Sequence, residues 1–582
     1  MAGRADALAV DGAQVTPGPD RNAAIWFAPD GYDPKAKGIN GRRVAGESFL
    51  RGFLKHADVP EFVTLAHNSG HFEALRAMAA EHRPGVPLRG VLLSEPSRIA
   101  PVGCINYPSP NFGAEVWRRA PYGASAWSIC GITHTTSTQG VMQGFFDLRM
   151  TPQAEWDAVI CTSRAVQASV LHQMDLIDTH ICRRFGVAKA PPRPQLPVIP
   201  LGIHSGDFAR DPAARAAFRT RIGAAGGDVV LTTIARLTPH EKFDPLPVYM
   251  ALQQAQGVLG PGVRLHYALC GIFRDDYARK VFTEGAARLM PDVGFHLLDG
   301  AQAEDRSQAL SGADIFAFLI DNIQETFGLA PIEGMAAGLP CLVSDWDGMR
   351  DTVTPEVGFR VTTRTLRADH TVREALRYQG GLDNYVQYCA NVSALTQVDV
   401  PELVVRIVDL ARNPDLRMRM GQAGQARARQ VYDWAQVIPQ MQDLWADLAA
   451  RRRQAVQPSP RTAPQALPVA PSPLGLFAAY PTRQGAFGVE RFCVTRVPGR
   501  PDPAAMLALR DYAGLKRVFE PVQTVAAVHA AMARAGEAGA SRAELETATG
   551  LKALQLDRVM MWLLKYDFIR PVAIPGSPGL TP

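Results

Sequence analysis

Two periodicities alternate along this chain. Short apolar runs rich in β-branched residues are followed by longer stretches in which apolar residues return at helical spacing. The strand-type runs fall at residues 25–28, 62–66, 91–93, 158–161 and 198–200, then at 229–235, 264–270, 293–297, 314–319 and 341–344. Strands separated by helix-length segments form parallel sheets, because a parallel pair needs a long crossover and a helix usually supplies it. The pattern predicts an α/β chain with two doubly wound, Rossmann-like domains facing a cleft, residues 22–203 and 204–433.

Beyond residue 433 the pattern changes. A helical stretch at 434–450 gives way at 451–475 to a run of linker composition, rich in Pro and Ala. Residues 476–582 regain aromatics: a helix over 525–535, a capping box at Ser541 and Glu544 opening a second helix, a third over 552–565, and a strand at 568–572. That order resembles a winged helix and gives a small, mainly helical C-terminal domain. Lys552, Arg558 and Lys565 could reach DNA phosphates. Asp557 and Asp567 interrupt that charge, and Val559, Met560, Trp562, Leu563 and Leu564 read as core and contact surface. This favours a protein partner or self-association through residues 476–582 over nucleic acid.

Composition narrows the class further. A chain of 582 residues can bury more than two cores, and a net charge of +5 is too small at this size to argue for nucleic-acid binding. The eight cysteines are scattered without a C-x-x-C pair, and Cys161 and Cys270 lie inside apolar runs. They read as reduced core residues of a cytoplasmic protein, neither a disulfide frame nor a zinc site. Residues 1–21 are polar and rich in Gly, Pro and Asp, a disordered tail without the apolar core of a signal peptide. No window has the apolar length of a membrane span. Phe49, Leu50, Phe53 and Leu54 recur at helical spacing beside Arg42, Arg43, Arg51 and Lys55. That face suits either a core-packed helix or peripheral contact with the anionic inner face of a membrane.

The chemistry concentrates after the run at 314–319. Residues 325–333 read E-T-F-G-L-A-P-I-E, with Glu325 at the mouth of a strand and Glu333 on the helix beyond it. Backbone N–H groups of Phe327, Gly328 and Leu329 at the helix N-terminus favour an anion such as a phosphate. The carboxylates suit hydroxyl donors instead, because an ionised carboxylate only accepts hydrogen bonds. Five helical steps from Gly328 to Glu333 cover roughly 8 Å, about the distance from a nucleotide's phosphates to its ribose. A nucleotide-sugar lying along the helix satisfies both ends. Upstream, Arg236 ends the run at 229–235 and Lys242 follows in L-T-P-H-E-K-F, two cations able to clamp a diphosphate. Gly38 and Gly41, after the first strand, would let backbone approach a phosphate closely.

At these residues the chain resembles the GT-B glycosyltransferases of the retaining family 4, over residues of about 22 to 450. The resemblance implies that Glu325 contacts the donor sugar's hydroxyls and Glu333 the ribose, that Arg236 and Lys242 neutralise the leaving diphosphate, and that the Gly38–Gly41 loop closes over it. It also implies that His134, in W-S-I-C-G-I-T-H-T-T, contacts the donor sugar near the reacting carbon. Residues 22–203 would be the acceptor side, 204–433 the donor-binding side, 198–208 the crossing between them, and 434–450 a helix returning to the first domain. The chain departs from the family at Ala235 and Phe243, where glycines are usual, and at Thr135, where Asp is. Asp345-Trp346-Asp347 spells D-x-D, which holds a divalent ion in another transferase class; Gly348 beyond it favours a turn. The expected activity is metal-independent, cofactor-free transfer, with retention, from a nucleoside-diphosphate sugar to an acceptor hydroxyl on a glycan, lipid-linked or protein acceptor. A sugar-phosphate-dependent reaction on the same fold is a near rival. A binding or regulatory protein on a transferase body, acting through its tail, is the alternative from another class.

Overall fold

The computed structural model describes residues 21–32, 41–455, 461–463, 466–485, 487–509 and 520–572. The chain divides into two compact units, Met1–Ala470 and Pro471–Pro582. The first unit contains two parallel sheets. One holds β1 (Ala24–Phe27), β2 (Phe62–Ala66), β3 (Leu88–Leu92), β4 (Cys104–Asn106), β5 (Ser128–Ile132) and β6 (Ala158–Ile160), in the order β3-β2-β1-β4-β5-β6. The other holds β7 (Val229–Leu237), β8 (Leu265–Phe273), β9 (Gly294–Asp299), β10 (Ile315–Phe318), β11 (Cys341–Ser344) and β12 (Gly358–Val361), in the order β12-β11-β10-β7-β8-β9. Each has one point where the winding reverses, β1/β4 in the first and β7/β10 in the second. In open α/β sheets the crevice beyond the strand ends at that point takes ligands.

The expectation of two doubly wound domains is met. The physical reason is visible in β2, β10 and β11, where every residue is buried, as happens only when helices cover both faces of a sheet. Residues 198–200, expected as a strand, contribute a single bridge from Val198 to Cys161. Pro197 precedes them and Pro200 is the last of them, and neither has an N–H to donate to a ladder. Deep in the first sheet's layer, Arg119 and Asp157, both fully buried, pair at 2.6 and 2.7 Å. An antiparallel pair, β13 (Thr363–Thr365) with β14 (Thr396–Val398), comes after the second sheet.

The Trp434–Gln454 helix packs against the first sheet's layer: Trp434 and Trp445 meet Phe49 and Phe53 at ring-centroid distances of 5.8 and 5.9 Å. Phe49, Leu50, Phe53 and Leu54, on the Gly41–His56 helix, are therefore buried core residues and present no apolar face to a membrane. Among the described residues no helix is long and apolar enough to cross one. All eight cysteines are free thiols, six of them buried.

The second unit has its own core. Four helices, Pro503–Leu509, Val522–Arg534, Arg542–Thr549 and Ala553–Lys565, pack on a three-stranded antiparallel sheet. Its central strand β15 (Arg491–Val494) lies between β16 (Ala540–Ser541) and β17 (Ile569–Pro571). Ser541 and Glu544 form the expected reciprocal cap. Val559, Met560, Trp562 and Leu563 are buried, while Lys552, Arg558 and Lys565 are exposed.

Candidate active site

The switch point of the second sheet gathers most of the predicted residues. β7 runs to Leu237, so Arg236 is still on the strand, exposed at its carboxyl end, and its guanidinium donates to the Gln324 side chain. After β10 the chain crosses as coil to the Leu329–Ala336 helix, which starts behind Gly328 in the left-handed conformation (φ 81°). Glu325 lies on that coil. The Lys242 ammonium donates to Glu325 Oε2 and also sits 5.1 Å from the centre of the Phe318 ring. Both members of the pair are largely withdrawn from water, with side-chain exposures of 17% and 12%.

Glu325 has a second set of partners. Its Oε1 accepts from the backbone N–H of Gly328 at 3.1 Å, and from those of Thr326 and Phe327 at 3.3 and 3.5 Å. Two of the three N–H groups expected to face a phosphate, those of Phe327 and Gly328, thus already face a carboxylate belonging to the same loop, which folds back on the helix start as a capping side chain does. Burial by itself would raise the Glu325 carboxyl; the Lys242 charge and these hydrogen bonds outweigh it and hold the group below its ordinary value.

Glu333 sits in the helix, partly exposed. Burial pushes its carboxyl up to about 7 against the opposing pull of Arg306 and Lys242. Phe327 contributes only backbone to the site, because its ring is 2% exposed and packs edge-on to Tyr432. Leu329 is the first residue of the helix. His134 follows β5 on the first sheet, and its carbonyl accepts a hydrogen bond from Thr326 Oγ1 at 2.7 Å, which brings it beside the Glu325 loop. Gly41 begins the Gly41–His56 helix, and Gly38 lies outside the described residues.

Several neighbours carry no local signal in the sequence. Ser163 caps the Arg164–Phe185 helix, donates to the Thr326 carbonyl at 3.1 Å and lies 3.4 Å from Asp347 Oδ1. Arg164 meets Asp351 through its N–H at 2.7 Å and its side chain at 3.2 Å. The D-x-D is split between two surroundings. Asp345 faces Arg360 and Arg350 at 3.4 and 3.8 Å, whereas Asp347 occupies a turn at φ 45°. Burial, then the nearby charge of Glu325, pushes the Asp347 carboxyl up to about 8. Among the described residues no cluster of three or more His, Cys, Asp or Glu side chains is placed to hold a metal ion.

The strand-end cations, the paired carboxylate and the helix start all lie between residues 215 and 378, and that segment matches the sequence model of a known family, described as glycosyl transferases group 1. Residues 215–378 match a glycosyl transferases group 1 domain. With the first sheet, this domain makes the two-domain arrangement of the GT-B fold. Solved structures of similar shape include Alr3699/HepE from Anabaena, in complex with UDP, at 15% identity and TM-score 0.46 over 73% of this chain and 100% of that one. Sucrose-phosphate synthase from Thermosynechococcus elongatus is similar at 17% identity and TM-score 0.42, over 74% of this chain and 100% of that one. A glycosyltransferase from Rickettsia africae is similar at 10% identity and TM-score 0.44, over 73% and 98%. No curated protein matches the chain.

Proposed function

We propose that the chain is a retaining glycosyltransferase that moves a sugar from a nucleoside-diphosphate sugar to an acceptor hydroxyl without a metal ion. The observation that carries this reading is the Lys242–Glu325 pair, held at the start of the Leu329–Ala336 helix and at the switch point of the group 1 domain. The donor lies along that helix, its diphosphate against Lys242 and Arg236 and its ribose at Glu333. When the diphosphate arrives it takes over the Lys242 ammonium and the Gly328 N–H, both now held by Glu325, and the freed carboxylate accepts the hydroxyls of the sugar. The two cations then neutralise charge as it develops on the departing diphosphate, the place where fixed charge contributes most to rate. His134 contacts the sugar from the first sheet. Transfer runs on the front face, with the leaving phosphate helping to remove the acceptor proton.

Calorimetric titration with UDP, GDP, ADP and their common sugar conjugates tests the reading, with Glu333→Ala as control. Micromolar binding of one nucleotide class, weakened in the variant, is expected; no binding across the panel overturns it. Activity lost in excess chelator and restored by manganese would sink the metal-independent part. For the unit Pro471–Pro582 we propose protein contact or self-association: on the Ala553–Lys565 helix Leu554 and Met561 are 65% and 53% exposed among the cations. Salt-sensitive, sequence-dependent retention on DNA by the full chain would favour the regulatory reading instead.

A further inference from the structure

The proposed donor site lies beyond the carboxyl ends of β7 and β10. At the opposite edge of the same sheet is a second cavity, of about 450 Å³, a volume in the range that takes small-molecule ligands. Asp314 and Pro340, which immediately precede β10 and β11, form part of its wall. Three arginines also line it: Arg210 and Arg215 around the start of the Pro212–Arg221 helix, and Arg417 on the Pro414–Arg427 helix. None of these residues belongs to the Glu325 loop or its neighbours.

The charge of these arginines is not balanced within the protein. Asp314 is already shared: it accepts from Arg215 at 2.6 Å, from Arg219 at 2.9 Å and from the Val230 N–H at 2.9 Å. Asp211, the other carboxylate of the wall, caps the Pro212–Arg221 helix through the Ala213 N–H at 2.8 Å. Arg210 and Arg417 have only backbone carbonyls as partners among the described residues. Arg210 Nη2 donates to Ser311 and Ala313 at 3.0 and 2.7 Å, and Arg417 Nη1 donates to Leu410 and Ala411. Those bonds fix one arm of each guanidinium. The other arm, Nη1 of Arg210 and Nη2 of Arg417, makes no hydrogen bond among the described residues and is open to water. Burial, and beside it the charges of Arg215 and Arg219, lowers the pKa of both Arg210 and Arg417. A guanidinium keeps its proton all the same, so four cations face two carboxylates and a dianion restores the balance. A phosphate monoester carries between about 1.5 and 2 negative charges near pH 7 and three strong acceptor oxygens, and paired guanidinium N–H groups match that geometry. A carboxylate brings one charge only. Ala337, Pro340 and Met418 on the same wall give the carbon part of an ester an apolar face.

We infer that Arg210, Arg215 and Arg417 form a second anion site, separate from the donor site, that binds the phosphate group of a small phosphate monoester. It stands whether or not the chain transfers a sugar. Calorimetry and thermal melting on the full chain test it, with glycerol 3-phosphate and phenyl phosphate as probes and inorganic phosphate and glycerol for comparison. Wild type is set beside three variants. Gln422→Glu adds a negative charge at an exposed residue of the cavity wall, Arg210→Gln removes a cation from it, and Lys242→Met alters the donor site alone. At least one monoester should bind more tightly than inorganic phosphate and raise the melting temperature. Gln422→Glu and Arg210→Gln should each weaken that binding about 10-fold, near the loss of one charge-assisted hydrogen bond, and Lys242→Met should leave it unmoved. If Arg210→Gln does not fold, Gln422→Glu decides by itself. The inference is overturned if neither monoester binds, if affinity is equal in wild type and Gln422→Glu, or if inorganic phosphate or glycerol binds as tightly as the esters. Loss of binding confined to Lys242→Met would place the phosphate at the donor site and overturn it as well.

Discussion

Replacing Lys242 by Met keeps an unbranched side chain of similar length and removes the charge, including the ammonium over the Phe318 ring. Glu325 would then stay in a site where its side chain is 12% exposed, with backbone N–H groups as its remaining partners. Deleting one member of a buried ion pair costs about 3–5 kcal/mol, and the residual exposure here places the loss in stability near the lower figure, about 3 kcal/mol. The effect on rate should be at least as large. A preorganised charge facing a developing oxyanion contributes about 10²–10³ in kcat, so Lys242→Met should lower turnover by about two orders of magnitude or more. The pair also sets a pH signature. Glu325 is held below its ordinary 4.5, so its contribution to stability is present above that value and is lost as pH falls through the folded one. In Lys242→Met the acid limb of the stability profile should move to higher pH. Initial-rate kinetics on the donor identified by calorimetry, run on Lys242→Met, Glu325→Gln and the double variant, make the assay. Two residues acting as a unit should give non-additive losses. If KM alone rises while kcat holds, Lys242 binds donor and transition state equally, and the assigned role is wrong; if neither moves, the site itself is wrong.

Glu333 titrates near 7, and the sign is opposite: a carboxyl raised above its unfolded value stabilises fully below 4.5 and loses that contribution as pH rises through 7. Its capacity to accept ribose hydroxyls grows over the same interval, so calorimetric affinity for the nucleotide should rise through pH 7 in wild type and stay flat in Glu333→Gln. Gly328→Ala places a Cβ at φ 81° and 3.0 Å from Met349 Cγ. It should cost about 1–2 kcal/mol in thermal melts and, by displacing the N–H that faces Glu325, reduce turnover as well. Arg119→Met removes the cation from the buried Asp157 carboxylate and leaves it the backbone N–H groups of Ile129 and Ala154; urea titration should show a loss of about 3–5 kcal/mol.

Legibility in the sequence tracks burial. β2 and β11 are readable to the residue because they are covered on both faces and appear as mainly apolar runs, with Thr64 and Ser344 their polar members. β4 is three residues long, too short for a periodicity, and it is a strand only because β1 and β5 lie on either side of it. The candidate site residues divide the same way. Arg236, Lys242, Glu325 and Glu333 are visible because each has a fixed offset from a strand or helix end, and topology brings those ends together. The contacts of each side chain are not visible. Lys242 and Glu325 are 83 residues apart, and the bonds from Thr326 to His134 and from Ser163 to Asp347 span 192 and 184. The first pairing is decided by how the second sheet winds and the other two by how one lobe packs on the other, and no local spacing encodes either.

The fold-back of Glu325 changes how a donor must enter the site. From the sequence, a helix N-terminus beside two cations attracts an anion. No spacing says that the first anion to satisfy that demand is a carboxylate eight residues ahead of Glu333 on the same loop. Because Glu325 holds both the Lys242 ammonium and the Gly328 N–H, any phosphate that binds there must displace a carboxylate from the same donors. On the proposed reading, the exchange couples donor binding to the release of the group that then meets the sugar. It also sets the order of events: the diphosphate must seat before Glu325 is free, so nucleoside diphosphates should bind with most of the affinity of their sugar conjugates, whereas free sugars should not bind at the second sheet at all.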